Sequence, residues 1–157
     1  MSQPSLLIRN NSREYLEYFK AEFCRKQIFT FDGIRVYFKA DTFYHAFYEC
    51  SRKDGAKDLF SIPRAQRMPW IRLTLESPDS LILQGWIKKK QTYDPYRRVA
   101  ILYEDFVVIL EIKINRLKKL KAQFITCFCA DRSIDKIKEA PVWTKEEVLE
   151  KRKKGGR

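Results

Sequence analysis

The chain has 157 residues, and its 32 Lys and Arg residues exceed its 20 Asp and Glu residues to give a net charge of +12. Hydrophobic residues make up 45% of the chain and charged residues 33%, with only 5 Gly and 6 Pro. These proportions exclude a disordered, collagen-like or low-complexity chain, and the length suits a single domain over residues 1–157 that buries a sizeable core.

The first half of the chain predicts helices around one hairpin. Asn11 followed by Glu14 has the spacing of a helix start, and apolar residues recur at helical spacing to about Lys26. Asp32-Gly33 lies between runs rich in β-branched and aromatic residues, which predicts a β-hairpin. The segment FYHAFYE that follows is expected to be extended or irregular.

A second helical stretch is predicted after the polar loop SRKDGAKD. Ser61 begins it, and Pro63 is tolerated in its first turn. Pro69 is expected to break or kink the stretch, and Ser77-Pro78 is expected to end it.

The second half of the chain is rich in strand-forming residues. LILQGW, YRRVAILY, FVVILEIKI and AQFITCFCA predict four strands, with a tight turn at Glu104-Asp105 and a loop at NRLKKLK. IDKIKE and TKEEVLEKRKK predict a C-terminal helical tail. We therefore expect an α+β fold with an antiparallel sheet of about four strands, N-terminal helices packed on one face, and the early hairpin.

The excess positive charge is concentrated in three segments. Residues 61–73, 84–98 and 113–121 together hold 13 basic residues and one acidic residue, which equals the net charge of the whole chain. If the fold brings these segments to one face, that face will attract a polyanion such as RNA. The alternative is a solvated surface of scattered cations.

The cysteine pattern and the lack of a long apolar run lead us to expect a cytoplasmic protein. Cys24, Cys50, Cys127 and Cys129 contain no CxxC pair and are not spaced from the single histidine, His45, like zinc ligands. We expect buried free thiols, with Cys127 and Cys129 facing the same way on a strand. We expect no metal and no cofactor. No apolar run approaches the roughly 20 residues needed to cross a bilayer, so we expect no membrane partner.

RNA can be cleaved without a metal by a small set of side chains. One group must take the proton of the 2′-hydroxyl, another must protonate the departing 5′-oxygen, and cations must stabilise the charge at phosphorus. His45 is the candidate proton acceptor, because histidine exchanges protons near neutral pH. Metal-dependent chemistry is disfavoured, since the acidic residues are scattered along the chain.

Several arginines are candidates for phosphate binding. Arg64 and Arg67 are three apart and project from one side of a helix. Arg97 and Arg98 begin a strand and point to opposite faces, so one of them can serve a given site. Thr126 is expected to share a strand face with Phe124 and Phe128. Threonine is also a common strand former, so Thr126 matters only if that face lines the site.

Several sequence blocks together resemble a family of small bacterial and phage-associated proteins. The blocks are FYHAF, FSIPRAQRMPWI, QGW with TYDPYRRV, FVVILEIK, FITCFCAD and APVW. That family belongs to the barnase–EndoU–colicin–RelE superfamily of metal-independent ribonucleases. The resemblance covers residues 28–143, and it leaves an N-terminal helix at 1–27 and a basic tail at 144–157 outside it.

The resemblance implies a curved four-stranded sheet whose concave face cuts RNA, in proteins that are commonly toxins of mobile elements. His45 would be the acid or base, Arg67 (or Arg64) and Arg98 would hold phosphate, and Thr126 would orient the substrate or a partner side chain. The remaining candidates for RNA binding are Arg64, Lys88, Lys90, Tyr93 and Arg97. Phe128 departs from the family pattern, which has a Tyr or similar residue there, and the NRLKKLK loop is longer than usual.

The sequence therefore predicts a toxin-like, metal-independent endoribonuclease. The alternative is a non-catalytic nucleic-acid-binding or partner-binding protein of a mobile element, in which His45 is a packed core histidine. An acidic antitoxin or immunity protein is the expected partner of a toxin.

Overall fold

The computed structural model describes residues 3–50, 58–87, 89–94, 96–114, 116–117 and 119–154. Helix α1 spans Ser12–Phe19 and continues as a π-helical turn over Lys20–Cys24, close to the expected end. Asn11 caps α1 as predicted, because its side-chain oxygen accepts a hydrogen bond from the Glu14 N–H at 3.0 Å.

The predicted hairpin is present. Strand β1 (Ile28–Phe29) pairs antiparallel with β2 (Arg35–Tyr37), and Gly33 in the turn has a φ of 89° that glycine adopts without strain. The expectation that FYHAFYE is extended or irregular is wrong for its first four residues, whereas Tyr48–Glu49 at its end are extended. A 3-10 turn at Ala40–Thr42 leads into helix α2 (Phe43–Ala46). Burial of Phe43, Ala46 and Phe47 at helical spacing overrides the strand preference of the aromatic residues.

Two short strands and two helices follow α2. Strands β3 (Tyr48–Glu49) and β4 (Leu59–Phe60) pair with each other. Ser61 caps helix α3 (Ile62–Gln66), and a second helix, α4 (Met68–Glu76), restarts after Arg67 with Pro69 in its first turn. The break at Pro69 and the end at Ser77 agree with the sequence prediction.

The remaining elements continue in chain order. They are β5 (Leu81–Gln84), β6 (Trp86–Ile87), β7 (Thr92–Tyr93), β8 (Arg98–Tyr103), β9 (Phe106–Ile114), β10 (Leu120–Cys129), α5 (Ile134–Lys138) and α6 (Lys145–Lys154). The loop predicted at NRLKKLK separates β9 from β10, which themselves pair as a long antiparallel hairpin.

The central sheet differs from the prediction of about four antiparallel strands. Within the described residues it has six strands in the order β1-β2-β10-β9-β8-β5. The four predicted strands form one contiguous part of it, and the early hairpin adds the other two. Strand β2 pairs with β10 in parallel, whereas the other neighbouring pairs are antiparallel. The extra strands arise because the hairpin docks on β10 instead of standing apart.

The two faces of the sheet are covered differently. One face carries the main core, in which α1, α2 and α4 pack on Val99, Ile101, Val108 and Leu110, as expected for N-terminal helices on one face. The opposite face carries a smaller cluster where α5 packs on the residues that alternate with these. We refer to this opposite face of the sheet as the second face.

The terminal segments join the same core as the sheet. Phe19 of α1 is fully buried, and its ring contacts the rings of Phe38, Phe43, Phe47 and Phe124. Trp143 is buried and its backbone N–H donates to the Ile82 carbonyl. Val148 of α6 is also buried. In the part of the chain that the structure describes, no helix has both the length and the apolar character of a bilayer span.

Candidate active site

A β-bulge in β10 decides which side chains reach the second face. Phe124 pairs with Leu110 and Thr126 pairs with Ile109, so Ile125 is an extra residue in the ladder. Phe124 is fully buried in the main core, whereas Thr126 and Phe128 lie on the second face. The prediction that Thr126 shares a face with Phe128 is therefore correct, and the prediction that Phe124 joins them is wrong.

His45 lies in the last turn of α2, beside β10. The buried neighbours Phe43, Ala46 and Phe47 fix this short helix against the main core. His45 itself is exposed, because it points away from that apolar side. The alternative of a packed core histidine is not what the structure contains.

Arg98 begins β8 on the second face, with its Cα paired with Glu111 of β9. The turn before it is built around Asp94, whose backbone carbonyl accepts from the N–H groups of Arg97 and Arg98 at 3.2 and 3.1 Å. A side-chain oxygen of Asp94 accepts from the Tyr96 N–H at 3.0 Å. This turn returns the chain from Tyr93 to Arg98.

The Arg98 guanidinium has an unused donor. Its Nε is buried and has no hydrogen-bond partner among the described residues. A buried donor without a partner costs free energy, which an anionic ligand can recover by accepting the hydrogen bond. Arg98 is therefore a candidate for binding an oxyanion.

These side chains surround one cavity of about 720 Å³ on the second face. His45, Tyr93, Arg98 and Thr126 all line it, although they come from α2, β7, β8 and β10. Ala100, Val107, Ile109 and Phe128 provide apolar lining. The charged side chains among the described lining residues, Arg98 and Lys136, are both cationic.

Sequence reasoning missed several residues of this cavity, among them Lys136, Gly85 and Trp86. Lys136 extends from α5, whose Ile134 and Ile137 anchor it to the second face. Gly85 allows a close approach to Arg98 and donates its N–H to the Arg98 carbonyl at 2.9 Å. Trp86 contacts the Tyr93 ring edge-on, with ring centroids 5.1 Å apart. The glycine in QGW was a usable signal, whereas the placement of α5 had none.

Arg64 and Arg67 line a different cavity, of about 750 Å³, that shares Phe128 with the first. Arg64 lies 3.7 Å from a carboxylate oxygen of Glu49, and Arg67 stacks over Trp70 at 5.0 Å. Glu49, Glu104, Asp105 and Asp131 also line this second cavity, which therefore has mixed charge. Neither arginine lines the cavity of His45 and Arg98, although the Arg64 guanidinium donates to the carbonyl of Ala46, the residue after His45, at 3.3 Å.

Two other predicted RNA-binding residues, Lys90 and Arg97, are not among the residues that line the cavity of His45. Lys90 is exposed and lies 3.6 Å from a carboxylate oxygen of Asp94, and Arg97 is exposed. Lys88 falls outside the described residues. Of the predicted binding residues that the structure describes, Tyr93 joins His45 in the cavity.

The cysteines behave as apolar residues. Cys127 is fully buried in the main core, and burial raises the pKa of its thiol to about 12. Burial also raises the pKa values of Cys24 and Cys129, and Cys129 packs against the same core as Cys127. Across the described ranges, no group of three or more His, Cys, Asp or Glu side chains is arranged to hold a metal ion.

Comparison with known proteins gives no relative. No protein-family model, no curated protein and no solved structure matches this chain. The function is therefore argued from the geometry of the cavity.

Proposed function

We propose that the chain is a metal-independent endoribonuclease whose active site is the cavity of His45. The observation that carries the proposal is that His45, Tyr93, Arg98 and Thr126, from four separate elements, line one cavity. A proton acceptor, a hydroxyl that can donate a proton and a guanidinium that can stabilise negative charge are groups that can cleave RNA through its 2′-hydroxyl.

In this mechanism His45 takes the proton of the 2′-hydroxyl as the O2′ atom bonds to phosphorus. The bond between phosphorus and O5′ then breaks, and the Tyr93 hydroxyl protonates the departing O5′. Transfer of the proton from the imidazolium to the Tyr93 oxygen through solvent restores the site. The products are a 2′,3′-cyclic phosphate and a free 5′-hydroxyl.

The cations of the cavity stabilise the charge that develops at phosphorus. Arg98 can hold two phosphate oxygens with its planar guanidinium, and its unpartnered Nε gains a hydrogen bond when it does so. Lys136 adds a second positive charge from α5. Thr126 offers a hydroxyl from β10 in the lining of the same cavity, where it can orient the linkage.

The test is RNA cleavage by the purified full chain in the presence of EDTA. We expect cleavage that leaves 2′,3′-cyclic phosphate ends, and we expect His45→Ala to slow it by roughly 10²–10⁴-fold. Binding of an uncleavable 2′-O-methyl RNA should be largely kept in this variant. Tyr44→Ala is the matched control, because Tyr44 is exposed on the same helix and is not part of the cavity lining.

Other outcomes would contradict the assignment. Cleavage that EDTA abolishes, or a His45→Ala variant that cuts at the wild-type rate, would show the site to be wrong. RNA binding without any cleavage would support the alternative, a non-catalytic nucleic-acid-binding protein.

A cytoplasmic, toxin-like role follows from the same proposal. The net charge of +12 suits an acidic antitoxin or immunity protein as partner. Expression of the wild-type chain should then arrest bacterial growth, and His45→Ala should relieve the arrest.

A further inference from the structure

The strand register places more than the cavity on the second face. Tyr37, Gln123, Glu111 and Arg98 are paired in succession across β2, β10, β9 and β8. Directly paired residues project to the same side of a sheet, so Tyr37 lies on the same face as Arg98. Three strand spacings of about 4.8 Å put the two residues about 14 Å apart.

A second row lies beside the first. Arg35 pairs with Phe29 on one side and with Lys121 on the other, and Lys121 pairs with Lys113. The residues that alternate with these, including Ile28 and Val36, are buried in the main core. The β1-β2 hairpin, the end of β9 and the start of β10 therefore present aromatic and basic side chains to solvent on the second face.

The aromatic and cationic groups are layered against each other. The Arg35 guanidinium lies over the Tyr37 ring at 4.6 Å and over the Phe29 ring at 5.8 Å, and the Lys121 ammonium lies 5.8 Å from the Tyr37 centroid. Phe29 and Tyr37 are nevertheless 43% and 45% exposed. The Nε atom of Arg35 is buried and has no partner within the described part of the chain.

The charge of these rows is positive. Arg35, Lys113 and Lys121 face one carboxylate, that of Glu111, which lies 4.0 Å from the Lys113 ammonium. Exposed rings that alternate with cations are the composition of surfaces that stack bases and track phosphates. The site of cleavage proposed above lies on the same face, so a bound strand can run from one to the other.

We infer that Phe29, Arg35, Tyr37, Lys113 and Lys121 form a platform that binds single-stranded RNA next to the cavity. Bases stack on the Phe29 and Tyr37 rings and on the Arg35 guanidinium, while Lys113 and Lys121 contact phosphates. Duplex RNA is excluded from the stacking, because its base faces are already covered by neighbouring bases. The inference rests on the proposed function, which identifies the bound RNA as the substrate.

The test is equilibrium binding of a 12-nucleotide, mixed-sequence 2′-O-methyl RNA single strand, measured by fluorescence anisotropy. We expect the double variant Phe29→Leu/Tyr37→Leu to bind roughly 10- to 100-fold more weakly, since each lost stacking contact costs about tenfold. Tyr37→Phe keeps the ring and should bind within about twofold of the wild type. Arg35→Ala should also weaken binding, whereas the matched control Arg13→Ala, which removes an exposed charge from α1, should bind like the wild type.

A second measurement guards against loss of folding in the ring variants. Lys113→Gln/Lys121→Gln alters side chains outside the core and should flatten the dependence of log Kd on log salt by about 0.7 for each lost phosphate contact. An unchanged salt slope would contradict the phosphate contacts.

The stacking is overturned if a folded Phe29→Leu/Tyr37→Leu protein binds the strand like the wild type, or if a duplex of the same sequence binds equally well. No binding of either form would also overturn it and would leave this face to a protein partner. Ring-dependent binding without any cleavage would support the platform and contradict the ribonuclease. Cleavage that depends on His45 but not on the rings would support the ribonuclease and contradict the platform.

Discussion

Gly85 and Arg98 approach each other so closely that no other residue fits at position 85 without a shift. A β-carbon built on Gly85 would lie 2.6 Å from the Arg98 Cβ and 3.0 Å from the Arg98 carbonyl carbon. The two residues are also joined by the hydrogen bond from the Gly85 N–H to the Arg98 carbonyl. Gly85 thus allows the close approach of its segment to the backbone and Cβ of Arg98, and we assign it a positioning role for this arginine.

Gly85→Ala is therefore expected to displace Arg98 and lower kcat/KM for RNA cleavage at least tenfold. The effect should fall mainly on kcat, because the guanidinium is most needed when charge develops at phosphorus. The measurement is steady-state cleavage of a short RNA in EDTA.

Gly33→Ala is the control for this prediction. Gly33 has a φ of 89° and no atom within 4 Å of a built Cβ, so the change strains the backbone without touching the cavity. It should cost about 1 kcal/mol of stability and leave kcat unchanged. Equal loss of kcat in both glycine variants would reduce the role of Gly85 to stability alone.

Arg98 and Arg67 allow a comparison of the two cavities. Arg98→Lys keeps the charge but loses the planar pair of donors, so we expect a loss of cleavage about tenfold larger than that caused by Arg67→Lys. Arg67 donates to the Pro63 carbonyl at 2.8 Å and stacks on Trp70, although its Nε, like that of Arg98, is buried without a hydrogen-bond partner among the described residues. A larger effect at Arg67 would move the site of cleavage to the other cavity.

Phe19 tests whether the N-terminal helix belongs to the folded domain. Phe19→Ala removes a fully buried ring from the centre of the main core, and we expect it to lower the free energy of unfolding by about 3–5 kcal/mol. Ile8→Ala is the control, because Ile8 is 65% exposed and should change it by less than about 0.5 kcal/mol. Urea unfolding followed by circular dichroism gives both values, and similar results for the two variants would contradict the packing of α1.

Cys127 predicts a specific loss of stability at alkaline pH. Burial raises the pKa of its thiol from 9.0 to about 12, so the folded state disfavours the thiolate that the unfolded chain forms readily. The stability that the buried, neutral thiol contributes to the folded state is fully present below about pH 8.5 and is lost as the pH rises toward 12. Relative to Cys127→Ala, the wild-type free energy of unfolding should fall by up to about 1.4 kcal/mol per pH unit above pH 9. Parallel pH profiles of the two proteins in urea unfolding would contradict the burial of the thiol.

Local sequence predicted the local structure well. The Asn11 cap, the Asp32-Gly33 hairpin and the helix break at Pro69 depend on neighbouring residues, whose conformational preferences are legible along the chain. The four strands of the second half followed from their β-branched and aromatic residues for the same reason. Of the residues predicted as catalytic, His45, Arg98 and Thr126 line one cavity, whereas Arg67 lines the other.

Tertiary packing decided the rest. Helix α2 forms because its apolar side is buried, although its aromatic residues favour a strand. The bulge at Ile125 turns Phe124 and Thr126 to opposite faces, which strict alternation along a strand cannot predict. The parallel docking of β2 on β10, which creates the aromatic and basic platform, joins residues more than 80 positions apart.

The sequence by itself thus determined most of the elements and supplied the candidate side chains, because both depend on residue type and near neighbours. The tertiary structure decided which of the arginines shares a cavity with the single histidine and which lie elsewhere. That choice depends on strand register and on the packing of distant segments, since the free energy that settles it comes from contacts made after the chain has folded.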